Sequence, residues 1–111
     1  MELIQKDIKL GEGKAIKKGA LVLAHYRGWL EDGSVFDSSY DKGRPFSFVF
    51  GTGRVIKGWD LGLLGMREGG KRELFVPSAL AYGERRIGEM IPPHSNLRFE
   101  IEILEVRNRD D

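Results

Sequence analysis

Five segments of the chain have the two-residue period that is typical of β-strands, although in Ala20–Leu30 both faces are largely apolar. Most of these segments end at glycine, proline or a group of polar residues, where a turn is expected. A sixth strand, at Val35–Phe36, is predicted by the preceding Asp32-Gly33 pair, because both residue types adopt the backbone angles of a tight hairpin turn. The five alternating segments are Glu2–Lys9, Ala20–Leu30, Pro45–Phe50, Lys71–Val76 and Leu97–Ile103.

One segment has helical rather than alternating spacing. Trp59 is followed by Leu63 four residues on and by Met66 seven residues on, so the three side chains share one face of a helix. Three glycines interrupt this segment, and each weakens a helix by about 1 kcal/mol relative to alanine. Packing against a sheet must therefore hold the helix, and the glycines let the sheet approach closely. We predict a short helix that begins near Gly58 and is ended by Gly69-Gly70.

The order of these elements indicates the fold class. Several strands carry hairpin signals, one helix interrupts them, and there is neither βαβ alternation nor an internal repeat. This arrangement predicts an α+β domain in which an antiparallel sheet packs against a helix. After Ile103 the alternation shifts to Leu104 and Val106, which predicts a bulge or a change of burial within the last strand.

Length and charge limit the classes of function. The chain has 111 residues, which fits one domain spanning 1–111 with a single core. Lys and Arg total 18 against 17 Asp and Glu, so no strong overall field attracts nucleic acid or a membrane surface. No stretch approaches the roughly 18 apolar residues of a membrane helix, and the first twenty residues lack a signal-peptide core. We expect a soluble, cytoplasmic protein, and nothing in the sequence demands more than a monomer.

The residue types also exclude several chemistries. The chain contains no cysteine, so it has no disulfides, no thiol nucleophile and no cysteine-ligated metal. His25 and His94 are a poor basis for a metal site, and we expect neither a metal nor a cofactor. The serines near Asp37 do not lie in a Gly-x-Ser-x-Gly elbow, so a hydrolytic triad is poorly supported.

Gly51-Thr52-Gly53 resembles part of a phosphate-binding loop. The dinucleotide fingerprint requires a third glycine where Ile56 stands, and a P-loop requires serine or threonine after its Gly-Lys pair. Neither requirement is met, so a tight turn is the better interpretation.

Asp37 is open to two interpretations on the pattern alone. It follows Phe36 at the end of the predicted hairpin strand, where a carboxylate could cap the Ser38-Ser39 turn. It could equally stand at the rim of an aromatic pocket. The aromatic residues themselves are explained by an ordinary core, and the pattern favours that reading for Trp59 and Phe99.

Several short motifs, taken together, resemble the FKBP-type peptidyl-prolyl cis-trans isomerases, a family that also binds macrolides such as rapamycin. They occur in the order and spacing of that family from about residue 19 to residue 106, and their combination is far more specific than any single motif. The segments are Leu30–Gly33, Phe36–Ser39, Pro45-Phe46, Val55–Trp59, Gly65-Met66, Gly69, Ala81–Gly83 and Ile91–Phe99.

The resemblance implies a curved antiparallel sheet of five to six strands wrapped around one short α-helix, with a shallow pocket between them. It implies that Trp59 is the pocket floor and that the Ile56 backbone N–H and the Tyr82 hydroxyl donate to substrate carbonyls. The substrate-binding residues it implies are Tyr26, Phe36, Asp37, Phe46, Val55, Ile56, Trp59, Tyr82, Ile87, Ile91 and Phe99.

The catalytic residues implied by the resemblance are Tyr26, Asp37, Trp59, Tyr82 and Phe99. We expect Asp37 to orient Tyr26 and to place negative potential near the rotating carbonyl carbon. The chain departs from many family members at Ile87, where an aromatic residue or histidine is common. Its loop is also more charged, at Glu84-Arg85-Arg86, which bears on macrolide affinity and on substrate preference.

The activity implied is rotation of X–Pro bonds in peptides and in folding proteins, without a covalent intermediate. The alternative is a binding module that recognises prolyl segments or a partner protein without turnover. The family's pocket residues are intact here, which favours the enzyme, because degenerate copies tend to lose them. A general chaperone would usually need an additional flap or domain, and the sequence shows no such insertion.

Overall fold

A computed structural model describes residues 2–111 and confirms the α+β class. Six strands, one α-helix and one short 3₁₀ turn make up the regular structure of these residues, and the strands follow the alternating segments closely. The strands are β1 (Ile4–Lys9), β2 (Leu21–Trp29), β3 (Val35–Ser38), β4 (Phe46–Val49), β5 (Lys71–Val76) and β6 (Leu97–Arg107); the helix is α1 (Lys57–Gly62) and the 3₁₀ turn is Ser78–Leu80.

The strand β2 pairs with three other strands of the sheet, β3, β4 and β6. The strands are joined in the order β1-β5-β6-β2-β3, with β4 pairing to β2 as well, and every pairing is antiparallel. Alternation alone did not say which side of β2 faces the core, since both sides are largely apolar. The structure buries Val22, Ala24 and Tyr26, while Leu21 is exposed and His25 is half-buried.

The helix α1 lies against β5, and glycine makes the close approach possible. A Cβ added at Gly58 would overlap a Val76 methyl group, and one added at Gly62 would overlap the Leu74 side chain. The expectation that glycine lets the sheet approach the helix is therefore confirmed. No helix among residues 2–111 is long and apolar enough to cross a membrane.

The predicted end of the helix was wrong. The helix stops at Gly62, before Gly69-Gly70, and the chain continues in turns, with the Met66 N–H donating to the Leu63 carbonyl at 3.1 Å. The shared face was nevertheless correct, since Trp59, Leu63 and Met66 are all buried. The turns after α1 therefore direct Leu63 and Met66 into the core, as a longer helix would have done.

The predicted irregularity near the end of the last strand is a bulge at Leu104. On β2, Leu23 pairs with Glu105 while the next residue pairs with Ile103, so Leu104 has no partner in the register. The Val106 N–H just beyond the bulge donates to the Glu68 carboxylate at 2.7 Å. The bulge returns Val106 to the buried face.

Candidate active site

A cavity of about 680 Å³ opens where the inner face of the sheet meets α1. Its walls come from β2, β3, β4 and β6, from the segment leading into α1, and from the loop after the 3₁₀ turn. The lining residues are Tyr26, Phe36, Asp37, Lys42, Phe46, Arg54, Val55, Ile56, Lys57, Trp59, Ala79, Ala81, Tyr82, Arg85 and Phe99.

Trp59 forms the floor of this cavity. Its side chain is 4% exposed, and the rings of Tyr26, Phe46, Phe48 and Phe99 contact it at steep angles, with centroid distances of 5.2, 6.2, 5.5 and 5.4 Å. Edge-to-face packing of this kind is favourable beyond the area it buries. Among residues 2–111, no group accepts a hydrogen bond from the Trp59 Nε1 atom. The floor is therefore aromatic ring surface held on several sides, and its one polar atom, Nε1, is buried.

A glycine on β2 allows the cavity wall to close over the floor. The rings of Phe36 and Phe99 lie edge to face, with centroids 5.6 Å apart, and they cover the backbone of Gly28. A Cβ at this position would overlap the Phe36 ring and press on the Phe99 ring. Gly28 was not among the predicted site residues, although a glycine inside a strand often marks a bulge or a close approach, and the β2–β3 register shifts between Gly28 and Trp29.

The single carboxylate of the cavity is tied to both a phenol and an ammonium group. The Tyr26 hydroxyl donates to Asp37 Oδ2 at 2.5 Å, and Lys42 Nζ lies 2.9 Å from Asp37 Oδ1. That same oxygen accepts the Ser38 backbone N–H at 2.9 Å. The two interpretations of Asp37 are thus compatible, since it caps the turn and also stands in the cavity wall.

These contacts shift the acidity of both groups. Burial opposes ionisation of Asp37, but the hydrogen bonds from Tyr26 and Lys42 outweigh it and hold the pKa of the carboxyl below its ordinary value. Burial, together with the hydrogen bond to Asp37, raises the pKa of Tyr26 well above that of a free phenol. At neutral pH the pair is therefore a phenol donating to a carboxylate, with no proton ready to transfer.

The backbone of Ile56 and the side chain of Tyr82 each bring to the cavity a hydrogen-bond donor that has no acceptor among residues 2–111. The backbone N–H of Ile56, which precedes α1, makes no hydrogen bond there, and neither does the Tyr82 hydroxyl. Burial, reinforced by the Asp37 charge, raises the pKa of Tyr82, so it too remains a protonated phenol. The cavity can therefore accept a ligand that presents carbonyl oxygens at its rim.

Ser39 and His25 meet, but not as a nucleophile and its base. His25 Nδ1 lies 2.8 Å from Ser39 Oγ, on the side of β2 that faces away from the cavity. The Ser39 hydroxyl accepts the Tyr26 N–H at 2.7 Å and donates to the Tyr26 carbonyl at 3.2 Å. Ser39 is 2% exposed, so its hydroxyl serves to fix the backbone of Tyr26.

The Gly51-Thr52-Gly53 segment is a turn whose amides are already occupied. Asp60 of α1 accepts the Gly51 N–H at 2.8 Å and the Gly53 N–H at 3.0 Å. A phosphate would have to displace this carboxylate, so the rejection of a phosphate loop stands. The sequence did not indicate Asp60, because nothing in its spacing marks it as the partner of this turn.

Most of the predicted site residues line one cavity. Ile87 and Ile91 do not line it: they form a backbone bridge with each other beside it, with Ile91 buried and Ile87 half-buried. Six residues that line the cavity were absent from the predicted site, and four of them are exposed basic residues. The omitted residues are Lys42, Arg54, Lys57, Ala79, Ala81 and Arg85.

Comparison with known proteins gives a consistent result. Residues 12–104 match the family model described as FKBP-type peptidyl-prolyl cis-trans isomerase. An FK506-binding protein of Neisseria meningitidis serogroup A is 52% identical over 104 residues, covering 94% of this chain and 95% of that protein. The human peptidyl-prolyl cis-trans isomerase FKBP2 is 53% identical over 95 residues, covering 86% and 67% of the two chains.

Solved structures agree with the sequence comparison. The crystal structure of AtFKBP13 superposes with a TM-score of 0.87 at 47% identity, covering 93% of this chain and 91% of that one. FkpA from Escherichia coli gives a TM-score of 0.86 at 42% identity, covering 95% of this chain and 48% of that one. The family-model match, over residues 12–104, includes α1 and every residue that lines the cavity. The chain belongs to the family of FKBP-type peptidyl-prolyl cis-trans isomerases.

Proposed function

We propose that this chain accelerates rotation about X–Pro peptide bonds by holding the proline ring in the aromatic cavity over Trp59. The observation that carries this proposal is the combination of an apolar floor with two donors, the Ile56 N–H and the Tyr82 hydroxyl, that have no acceptor among residues 2–111. A prolyl peptide offers the matching features, since it has an apolar ring and carbonyl groups but no N–H at the proline.

Amide physics explains how such a cavity could lower the barrier. Rotation passes through a twisted amide that has lost its resonance, and the uncatalysed barrier is roughly 18–20 kcal/mol. The twisted amide is less dipolar than either planar isomer, so moving it out of water costs less than moving the planar forms. A cavity that excludes water around the amide therefore favours the twisted form over the ground states. Lowering the barrier by about 4 kcal/mol would give roughly a thousandfold acceleration.

Each polar group of the cavity then has a defined part. The Ile56 N–H and the Tyr82 hydroxyl would hold the carbonyls on either side of the rotating bond and keep the peptide in a turn-like geometry. Asp37 would fix the Tyr26 ring and place negative potential near the carbon of the rotating carbonyl. Phe99 would close the cavity on the side of β6. No bond is made or broken in this scheme, so no nucleophile or cofactor is called for.

The remaining parts of the proposal concern the substrates, the oligomeric state and the cellular location. We expect the substrates to be exposed prolyl segments of peptides and of folding proteins, and macrolides such as rapamycin to compete for the cavity. We expect a monomer, because one chain supplies every lining residue. A cytoplasmic location fits a chain without cysteine, since its folding needs no oxidising compartment.

A protease-coupled assay on a Leu-Pro tetrapeptide tests the activity. The protease cleaves only the trans isomer, so the slow phase of cleavage reports the cis-to-trans rate with and without the protein. We expect the slow phase to accelerate in proportion to protein concentration and rapamycin to abolish the acceleration. If the peptide binds but its isomerisation rate equals that in buffer, the chain is a prolyl-binding module rather than an enzyme.

A further inference from the structure

The cavity carries a net positive charge that its proposed chemistry does not require. Its lining contains four basic side chains and one acidic one. Lys42 is paired with Asp37, so its charge is balanced. Arg54, Lys57 and Arg85 are exposed, and none of them lies within salt-bridge distance of a carboxylate among residues 2–111.

This excess is local rather than a property of the whole molecule. The formal net charge of the chain is only +1, and several basic residues elsewhere have acidic partners. On the outer face of the sheet, for example, Arg98 lies 2.7 Å from Glu73 and 2.9 Å from Glu100. Glu84, next to Arg85 in the chain, is exposed and does not line the cavity. The cavity lining, with four basic side chains and one acidic one, is therefore more positive than the chain as a whole.

The three unpaired cations lie beside the two donors that would hold a peptide. Arg54 and Lys57 directly flank Val55-Ile56, whose backbone N–H at Ile56 has no acceptor. Arg85 follows Tyr82 by three residues, and its N–H donates to the Tyr82 carbonyl at 3.1 Å. The Arg85 charge also acts on the Tyr82 hydroxyl, where it lowers the phenol pKa against the raising effect of burial. A peptide held by these donors would bring the residues that flank its proline close to these cations.

We propose that Arg54, Lys57 and Arg85 make this site selective for prolyl segments with carboxylate side chains within two residues of the X–Pro pair. The inference rests on the proposed function, because it uses the same cavity and the same peptide orientation. An exposed ion pair at roughly 7 Å in water changes an equilibrium about threefold. One carboxylate on each side of the prolyl bond should therefore favour an acidic peptide over a neutral one by about tenfold, or about 1.4 kcal/mol.

Exchange NMR on three peptides tests this proposal without a protease, whose own preferences would confuse the result. The peptides are acetyl-Xaa-Leu-Pro-Phe-Xaa-amide with glutamate, glutamine or lysine at both Xaa positions. The cis–trans exchange rate with wild-type protein gives kcat/KM, and the same spectra give the peptide affinity. We expect the order glutamate, glutamine, lysine at low salt, and convergence of the three values at about 1 M NaCl, where the screening length falls to roughly 3 Å.

Matched variants locate the effect. In Arg54→Gln/Arg85→Gln the ratio of the glutamate to the glutamine peptide should fall towards one. In Lys6→Gln/Lys9→Gln, which removes the same charge from the edge strand β1, the ratio should stay at its wild-type value. Both pairs are exposed and lack carboxylate partners among residues 2–111, so both variants should fold.

Two results would overturn the selectivity. One is agreement of the three peptides within about twofold at low salt, less than one ion pair should give. The other is an unchanged preference in Arg54→Gln/Arg85→Gln. Failure of the proposed function has a different signature, since the glutamine peptide would then show no acceleration at all. Peptide affinities would still report the charge preference in that case.

Discussion

The hydrogen bond between Tyr26 and Asp37 is a contact whose contribution can be isolated experimentally. Tyr26→Phe removes the hydroxyl and keeps the ring, while Asp37→Ala removes the carboxylate together with its contacts to Lys42 and Ser38. The double variant completes a mutant cycle, in which the coupling energy reports the Tyr26–Asp37 contact alone. Both residues lie in the cavity wall, so the same cycle can be measured on stability and on catalysis.

The magnitude follows from the geometry of the contact. A 2.5 Å hydrogen bond from a phenol to a carboxylate is charge-assisted, and such bonds contribute about 1.5–3 kcal/mol. The Asp37 side chain is 33% exposed, so water can replace part of the contact, and the lower end of this energy range applies. The ion pair with Lys42 is exposed and adds at most about 1 kcal/mol. We expect the free energy of unfolding to fall by about 1.5 kcal/mol in Tyr26→Phe and by about 2 kcal/mol in Asp37→Ala. The coupling energy between the two substitutions should be about 1 kcal/mol.

Urea unfolding of the four proteins gives the stability cycle, and the prolyl isomerase assay gives the catalytic one. If Asp37 acts through Tyr26, each single variant should lower kcat/KM by about tenfold, and the double variant should be little worse than either, because residues that act as a unit are not additive. Wild-type rates in a folded Asp37→Ala variant would remove Asp37 from the mechanism. A coupling energy below about 0.5 kcal/mol would refute the magnitude derived from the contact.

Three further predictions concern the scaffold that positions the cavity. Folding lowers the pKa of Asp37, so the stabilisation from its charged carboxylate is present above about pH 4 and is lost as the pH falls through the folded-state pKa. The urea midpoint of unfolding should therefore fall more steeply from neutral to acidic pH for wild type than for Asp37→Ala. Gly58→Ala should destabilise by about 1–3 kcal/mol in guanidinium unfolding, because overlap with Val76 outweighs the gain in helix propensity, and a stabilised variant would contradict the packing described. Arg72→Met should lower the free energy of unfolding by about 2–3 kcal/mol, because buried Arg72 donates to Asp7 at 2.6 Å and to the backbone carbonyls of Gly62 and Leu64 at the end of α1. An unchanged unfolding midpoint would show that water satisfies these groups.

Much of the fold was readable from the sequence because it depends on local rules. Alternation gave the strands, and the slip at Leu104 gave the bulge, since a strand with one buried face must return its apolar residues to that face. The end of the helix was not readable, because it depends on what the helix packs against. Gly62 lies against Leu74, a contact that no local pattern of the helix contains.

The site could be predicted only in part, because it too depends on contacts between residues that are distant in the sequence. The aromatic floor could be recognised by its resemblance to a family, while its pattern alone looked like a core. The contact between Asp37 and Tyr26 joins neighbouring strands β2 and β3, and alternation gave no register for that pair. The charged loop at Glu84-Arg85-Arg86 was expected to affect the pocket. Arg54 was missed as part of the cavity, because solvated side chains on loops leave no periodic signal.

The central claim is that an apolar floor at Trp59 lowers the barrier to prolyl rotation, and the two tryptophans of the chain allow a direct comparison. Trp29 lies on the opposite side of β2, is half-buried beneath the Arg98 guanidinium 4.2 Å from its ring centroid, and does not line the cavity. The measurement is kcat/KM on a Leu-Pro peptide for wild type, Trp59→Leu and Trp29→Leu, each shown to be folded. The account predicts a loss of at least about tenfold, or about 1.4 kcal/mol, in Trp59→Leu and less than twofold in Trp29→Leu. Equal losses in the two variants, or no acceleration by the wild-type protein, would contradict it.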